Sequence, residues 1–227
     1  MAKKYYMVLD TETVADARVP YDIAWIIIDR QGNKIEEFNG LCGETLENPT
    51  LRYILRHDDF AKRKAGFYLD NPDMNNLAMP FAQIWARTNA AIAKYHCPVV
   101  AYNAAFDVKV LNNYSQALLG LPFFNDAVVW DLWTMALNTI CDSSNYVRWC
   151  QNANFVKENG NICSTAESVY SYLSGNMEFA EDHTALSDCE IEAQILVKVF
   201  SRRQKLETAM CMPITKQKVW KNRLKSK

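Results

Sequence analysis

Residues 23–28 read Ile-Ala-Trp-Ile-Ile-Ile. Six consecutive apolar residues, rich in β-branched side chains, fit a central strand whose two faces are both covered. The surrounding segment, "YDIAWIIIDRQGNKIEEFNGL", reads as a hairpin turning at Gln31-Gly32-Asn33. Upstream, Tyr5 to Asp10 forms another apolar strand ("YYMVLD"), followed at once by Thr11 and Glu12. The first third of the chain therefore reads as strands.

The rest alternates. "PFAQIWARTNAAIAKYH", from Pro80 to His96, spaces Phe81, Ile84, Trp85, Ala91, Ile92 and Tyr95 as an amphipathic helix opened by Pro80. "PVVAYN" is a short strand, and "AAFDVKVLNNYSQALLG" a helix ending at Gly120. "DAVVWDLWTMALNTI" reads as a strand running into a helix. Residues 142–162 are polar and Asn-rich and read as loop, and residues 44–80 as short helices and loop. "STAESVYSYLSG" is a short helix with Ser164 as candidate N-cap and Glu167 completing a capping box, and "LSDCEIEAQILVKVFSRRQKL" is a long one. Hairpins first, then strand–helix alternation, predict an α/β fold: a mixed β-sheet with helices on both faces.

The 227 residues suffice for one substantial core, and 49% hydrophobic with 22% charged residues is ordinary globular composition. A net charge of −1 supplies no general basic field for a long duplex, but leaves open an enzyme that grips a strand end. Seven cysteines with no C-x-x-C pair argue against a disulfide framework or zinc cluster and for reduced thiols in a cytosol. The expectation is a cytoplasmic protein with no signal peptide and no membrane partner.

Three groups of residues carry chemistry. Asp10 and Glu12 are two apart on a strand and so share a face. Asp107 stands in the first turns of the helix that follows "PVVAYN", where a sheet presents functional groups. His183 precedes the last long helix, and Asp188 lies in its first turns. Each alone has a bland reading: a solvated strand end, a carboxylate compensating a helix dipole, a surface histidine. A second D-x-E, Asp188-Cys189-Glu190, shows how easily chance supplies one. Converging, four carboxylates would require cations, and hard oxygen ligands select Mg²⁺ or Mn²⁺. Two such ions, roughly 3.5–4 Å apart, suit in-line attack on a phosphodiester. An unliganded histidine of pKa near 6.5 suits the role of general base toward the attacking water.

"LDTET", "YNAAFD" and "HTALSD" together resemble the three motifs of the DEDDh exonuclease family. That family includes the proofreading subunit of bacterial replicative polymerase, ribonuclease T and oligoribonuclease. The resemblance runs in order from about residue 5 to 200, and a histidine five residues before the last aspartate matches this branch. The tyrosine branch would place Tyr where Thr184 stands. The resemblance implies a ribonuclease H-like fold with a five-stranded mixed sheet. It also implies 3′→5′ hydrolysis releasing nucleoside 5′-monophosphates, with DNA favoured over RNA. Two Mg²⁺ (or Mn²⁺) ions would be held by Asp10, Glu12, Asp107 and Asp188, with His183 as general base. Thr11, Thr13, Asn103 and Phe106 would contact the terminal nucleotide. The partner implied is a nucleic-acid 3′ end, single-stranded or frayed, with a polymerase as a further candidate. The compact form also looks like bacteriophage-encoded exonucleases, which would place it in a host cytoplasm. Two departures stand out: "TETVAD" in place of Thr-Gly after the first motif, and Tyr102 where a histidine often precedes the asparagine.

The expected organisation is an exonuclease domain over residues 1–207 and a basic tail over 208–227. The tail segment "KQKVWKNRLKSK" has six basic residues and no acidic one. It could hold phosphates with Trp220 stacked on a base, although a solvated tail is the plainer reading. A second basic cluster, Arg52, Arg56, Lys62, Arg63 and Lys64, has the same two readings. His57-Asp58 imitates a metal-phosphohydrolase dipeptide but lacks the upstream histidine, and no G-x-S-x-G elbow or P-loop is present. The reading from a different class is a nucleic-acid- or partner-binding module on the same fold with little activity.

Overall fold

The computed structural model describes residues 4–14, 17–57, 69, 77–203 and 211. Its centre is β1 (Tyr5–Val14), paired antiparallel with β2 (Val19–Asp29) on one side and parallel with β5 (Val99–Ala101) on the other. β3 (Lys34–Cys42) pairs antiparallel with β2, β4 (Ala78–Met79) parallel with β3, and β6 (Val129–Asp131) parallel with β5. The order across the sheet is β4-β3-β2-β1-β5-β6. The mixed sheet flanked by helices is as expected, with one strand more than the five anticipated. The addition is β4, a two-residue edge too short to leave a pattern in the sequence.

The apolar run of β2 is buried along its length from Pro20, as a strand between two neighbours and two layers must be. Its hairpin turns where expected. Asp29 Oδ1 accepts from the backbone N–H groups of Gln31 and Asn33, each at 3.0 Å, and Gly32 takes the positive φ of 88° the turn needs. One face of the sheet packs on α3 (Phe81–Tyr95) and α4 (Ala105–Leu119) through Met7, Leu9, Trp25, Phe81, Ile84 and Leu111. Pro80 stands at the N-cap of α3, and the Phe81 N–H donates to Glu44, in α1 (Gly43–Glu47). A further short helix, α2 (Pro49–His57), packs with α1 against the end of the hairpin through Leu46, Leu55, Tyr21 and Val14.

The other face carries α5 (Leu132–Ala136) with the π-helical turn 137–141 that continues it, α6 (Ser144–Asn152), α7 (Ala166–Ser174) and α8 (Ala185–Arg202). Here three readings change. Residues 144–152 are helical rather than loop: Ser143 caps the helix by accepting from the Tyr146 N–H, and Tyr146 and Cys150, one turn apart, are fully buried. The N-cap of α7 is Thr165 rather than Ser164; its hydroxyl accepts from the Ser168 N–H. The first strand runs to Val14 rather than stopping at Asp10, because Thr11, Thr13 and Val14 are themselves good strand formers.

Candidate active site

β5 ends at Ala101, level with Leu9 of β1, and α4 follows it after a short turn, so Asp10 and Glu12 lie on the part of β1 that extends beyond β5. Asp10 and Glu12 therefore stand within the last turnless stretch of a rigid central strand. Pairing with β2 slips between Glu12 and Thr13, a local irregularity of the kind that re-aims side chains next to functional sites. Asp107 is in the first turn of α4 and Asp188 in the first turn of α8, 3% and 9% exposed. Each of these carboxylates thus stands at the positive end of its own helix.

Glu12, His183 and Asp188 each offer one ligand atom, and these atoms lie within 4.8 Å of one another. His183 sits before the Thr184 N-cap of α8 at a φ of 57°. This left-handed backbone is uncommon for a non-glycine residue. Its Nδ1 is 3.7 Å from Glu181 Oε2. A strand residue from the start of the chain thus meets a loop histidine and a helix aspartate more than 170 positions away.

Asp10 and Asp107 join them through their fields. Burial, and then the charges of Glu192, Asp107, Asp188 and Glu12, hold the Asp10 carboxyl well above the usual carboxylate range. Burial, with Glu12 and Asp131 adding to it, pushes Asp107 up to about 8 against the pull of its own backbone N–H and the Thr11 hydroxyl. These carboxylates share a poorly solvated space and resist being charged together. Divalent cations bound by hard oxygens relieve that conflict, so the donor set fits Mg²⁺ or Mn²⁺.

The expected nucleotide contacts are dispersed more widely. Thr11 is buried and its hydroxyl acts on Asp107, and Thr13 is partly exposed beyond the irregularity. Asn103, exposed and at a φ of 61°, makes the turn from β5 into α4, and its carbonyl accepts from the Phe106 N–H at 2.9 Å. Phe106 is half-buried in the first turn of α4. Tyr102, the departure from the family pattern, donates its hydroxyl to the Ser164 carbonyl at 2.6 Å. The basic segment 216–227 with Trp220, and Lys62, Arg63 and Lys64, lie outside the described residues, as do Ala15 and Asp16 of "VAD"; of residues 208–227, Cys211 is described and is buried.

Two acidic residues escaped the sequence reading. Asp22, fully buried in β2 opposite Glu12, accepts from the Ala185 N–H at 2.9 Å and from Asn39 Nδ2 at 2.5 Å. It supplies the start of α8 with the cap that the Thr184 side chain does not provide. Glu192, one turn beyond Asp188, is 3% exposed. Each had a signal: an aspartate inside an apolar strand, and a glutamate among the buried positions of a helix.

No family model matches this chain, and no curated protein matches it in sequence. Solved structures do match its fold. An exonuclease I from Methylocaldum szegediense superposes with a TM-score of 0.59 at 19% identity, over 89% of this chain and 41% of that one. Escherichia coli exonuclease I in complex with a 5cy-dT13 oligonucleotide gives 0.58 at 16% identity, over 89% and 41%. The zinc-bound form of the E. coli enzyme with single-stranded DNA gives 0.59 at 17%, over 90% and 42%. The chain thus spans about two fifths of the length of these exonucleases. At such identities the likeness establishes the fold.

Proposed function

We propose that this chain is a divalent-metal-dependent 3′→5′ exonuclease of the DEDDh type, acting on single-stranded or frayed 3′ ends and favouring DNA. The observation that carries this reading is the meeting of Glu12, His183 and Asp188 within 4.8 Å, beside the mutually strained Asp10 and Asp107. In this reading Asp10 and Asp107 join Glu12, His183 and Asp188 in one site, a grouping supported by the charges that Asp10 and Asp107 feel from the other carboxylates. The fold shared with exonuclease I, including structures of that enzyme bound to single-stranded oligonucleotides, supports the same reading.

In this proposal Asp10, Glu12, Asp107 and Asp188 hold two Mg²⁺ or Mn²⁺ ions. When bound, the ions supply a more acidic attacking water and neutralise charge building on the scissile phosphate and leaving oxygen. His183, partly exposed, would serve as general base toward the attacking water, with Glu181 placed to stabilise the imidazolium. β1 fixes the position of Asp10 and Glu12, which keeps the reorganisation cost of the reaction low. Thr11, Thr13, Asn103 and Phe106 would shape the subsite for the last nucleotide, and the departures at "VAD" and Tyr102 would tune its base and sugar preference. The region to residue 207 would form the catalytic domain, with residues 208–227 as an accessory basic tail. A cytoplasmic location, in a viral host or otherwise, accords with these substrates.

The test is a time course on 5′-labelled single-stranded DNA, duplex DNA, mismatched duplex and RNA with Mg²⁺ and with Mn²⁺. A ladder shortening from the 3′ end, fastest on single-stranded DNA, is expected. A binding module would retard the oligonucleotides and leave them intact.

A further inference from the structure

Glu192 lies on the same face of α8 as Asp188, one helical turn further in. Carboxylates at i and i+4 repel, and nothing about helix formation requires a second one here. The neighbouring Ile191, Ala193, Ile195 and Leu196 are buried core. A glutamate 3% exposed at such a place is costly unless it serves a purpose. Lys34, which holds the exposed Glu190 of the same helix at 2.8 Å, is on the outer side.

The two oxygens of Glu192 have different surroundings. Burial first, and then the charges of Asp107, Asp188 and Glu181, hold this carboxyl well above its ordinary range, while a hydrogen bond from the backbone N–H of Tyr102, just past β5, pulls the other way. That hydrogen bond ties α8 to the turn that leads through Asn103 into Asp107. The other oxygen, Oε2, is buried without a hydrogen-bond partner among the described residues. The groups acting on the side chain are Asp107, Asp188 and Glu181, and Glu192 itself is the largest single charge acting on Asp10. Among the described residues, the charges that weigh on Glu192 are those of neighbouring carboxylates, so its open oxygen lies in negatively charged surroundings. In native structures a buried acceptor left open in this way calls for an explanation, and an ion is one.

We propose that Glu192 is a fifth carboxylate of the cation site, anchored through one oxygen on the Tyr102 backbone and contributing its charge and its second oxygen to the bound divalent ions. The inference rests on the cation-dependent reading of the cleft and adds a residue lying outside the three motifs. Removing its charge weakens cation binding even where the four motif carboxylates are intact.

The experiment is calorimetric titration of the full chain with MnCl₂ in the absence of nucleic acid, on wild type, Glu192→Gln, Glu192→Asp and Glu190→Gln. Glu192→Gln keeps the shape and an acceptor for Tyr102 and removes the charge. Its Kd for Mn²⁺ is expected to rise about 10-fold or more, the scale seen when groups supporting metal ligands are lost. Glu192→Asp, which retains the charge, should stay within about 3-fold of wild type, and Glu190→Gln should not change. Should Glu192→Gln fail to fold by circular dichroism, Glu192→Met, which leaves no polar group to satisfy, is read in its place. A folded, charge-free variant that binds Mn²⁺ as wild type does overturns the inference while leaving the nuclease reading standing. Wild-type protein that binds no Mn²⁺ overturns both. Tight binding lost in Glu192→Gln, in a protein that hydrolyses nothing, upholds the inference and sinks the nuclease reading.

Discussion

The buried carboxylate of Asp22 accepts a hydrogen bond from the backbone N–H of Ala185, 2.9 Å away. A residue in the strand next to Asp10 and Glu12 thereby fixes where α8 begins. The helix carries Asp188 in its first turn, and His183 lies two residues before Ala185. The link ties the first motif to the third. Asp22→Ala is expected to destabilise the protein by about 1–3 kcal/mol, the usual cost of leaving a buried donor without its acceptor. Asp22→Asn, which retains one acceptor oxygen, should cost less. Chemical denaturation measures both, and an Asp22→Ala variant as stable as wild type would show that α8 is held by other contacts.

Asp10→Ala and Asp188→Ala should abolish turnover while leaving the fold intact, since each removes a carboxylate that strains the metal-free cleft. Single-turnover rates at saturating Mg²⁺ decide the matter. Rates near wild type in either variant would remove these residues from the catalytic set.

His183→Ala should retain divalent-ion affinity and slow hydrolysis by about 10²–10⁴-fold, the scale of a lost general base. The proximity of His183 to Glu12 and Asp188 also suits a ligand, so a Mn²⁺ titration separates the two roles. Collapse of binding in this variant would make the histidine a ligand.

The cleft carboxylates set a pH dependence of stability whose sign follows from their shifts. Asp10 and Glu192 are raised well above their ordinary range and Asp107 to about 8, so the native state holds more protons than the unfolded chain through that interval. Stability of the metal-free protein should therefore be greatest below the ordinary carboxylate range, as far as these groups decide it, and fall as pH rises toward about 8. Mg²⁺, favouring the ionised forms, should stabilise more strongly at the upper end of the window. Melting temperatures across this range, with and without Mg²⁺, test the trend. A metal-free melting temperature that rises steadily to pH 8 would contradict it.

Much of the architecture was legible because the periodicities are clear. The buried isoleucines of β2, the Gln31-Gly32-Asn33 turn, Pro80 and Gly120 each mark an element boundary by local chemistry alone. The helix at 144–152 was hidden because its polar residues outnumber the buried pair Tyr146 and Cys150. The motif residues could be named from their order, but what holds them could not. Asp22 acts on a residue 163 positions away, and Glu192 on a strand far upstream. Their partners are set by tertiary packing, which a single sequence does not display.

The central claim is hydrolysis from a free 3′ end. Two single-stranded DNA oligonucleotides of identical sequence, one with a free 3′ hydroxyl and one blocked at the 3′ end, should be incubated with the protein in Mg²⁺ and in chelator. The account predicts stepwise release of nucleoside 5′-monophosphates from the free oligonucleotide in Mg²⁺, with the blocked oligonucleotide and both chelator reactions left intact. Degradation that ignores the 3′ block, or that proceeds without a divalent ion, would contradict it.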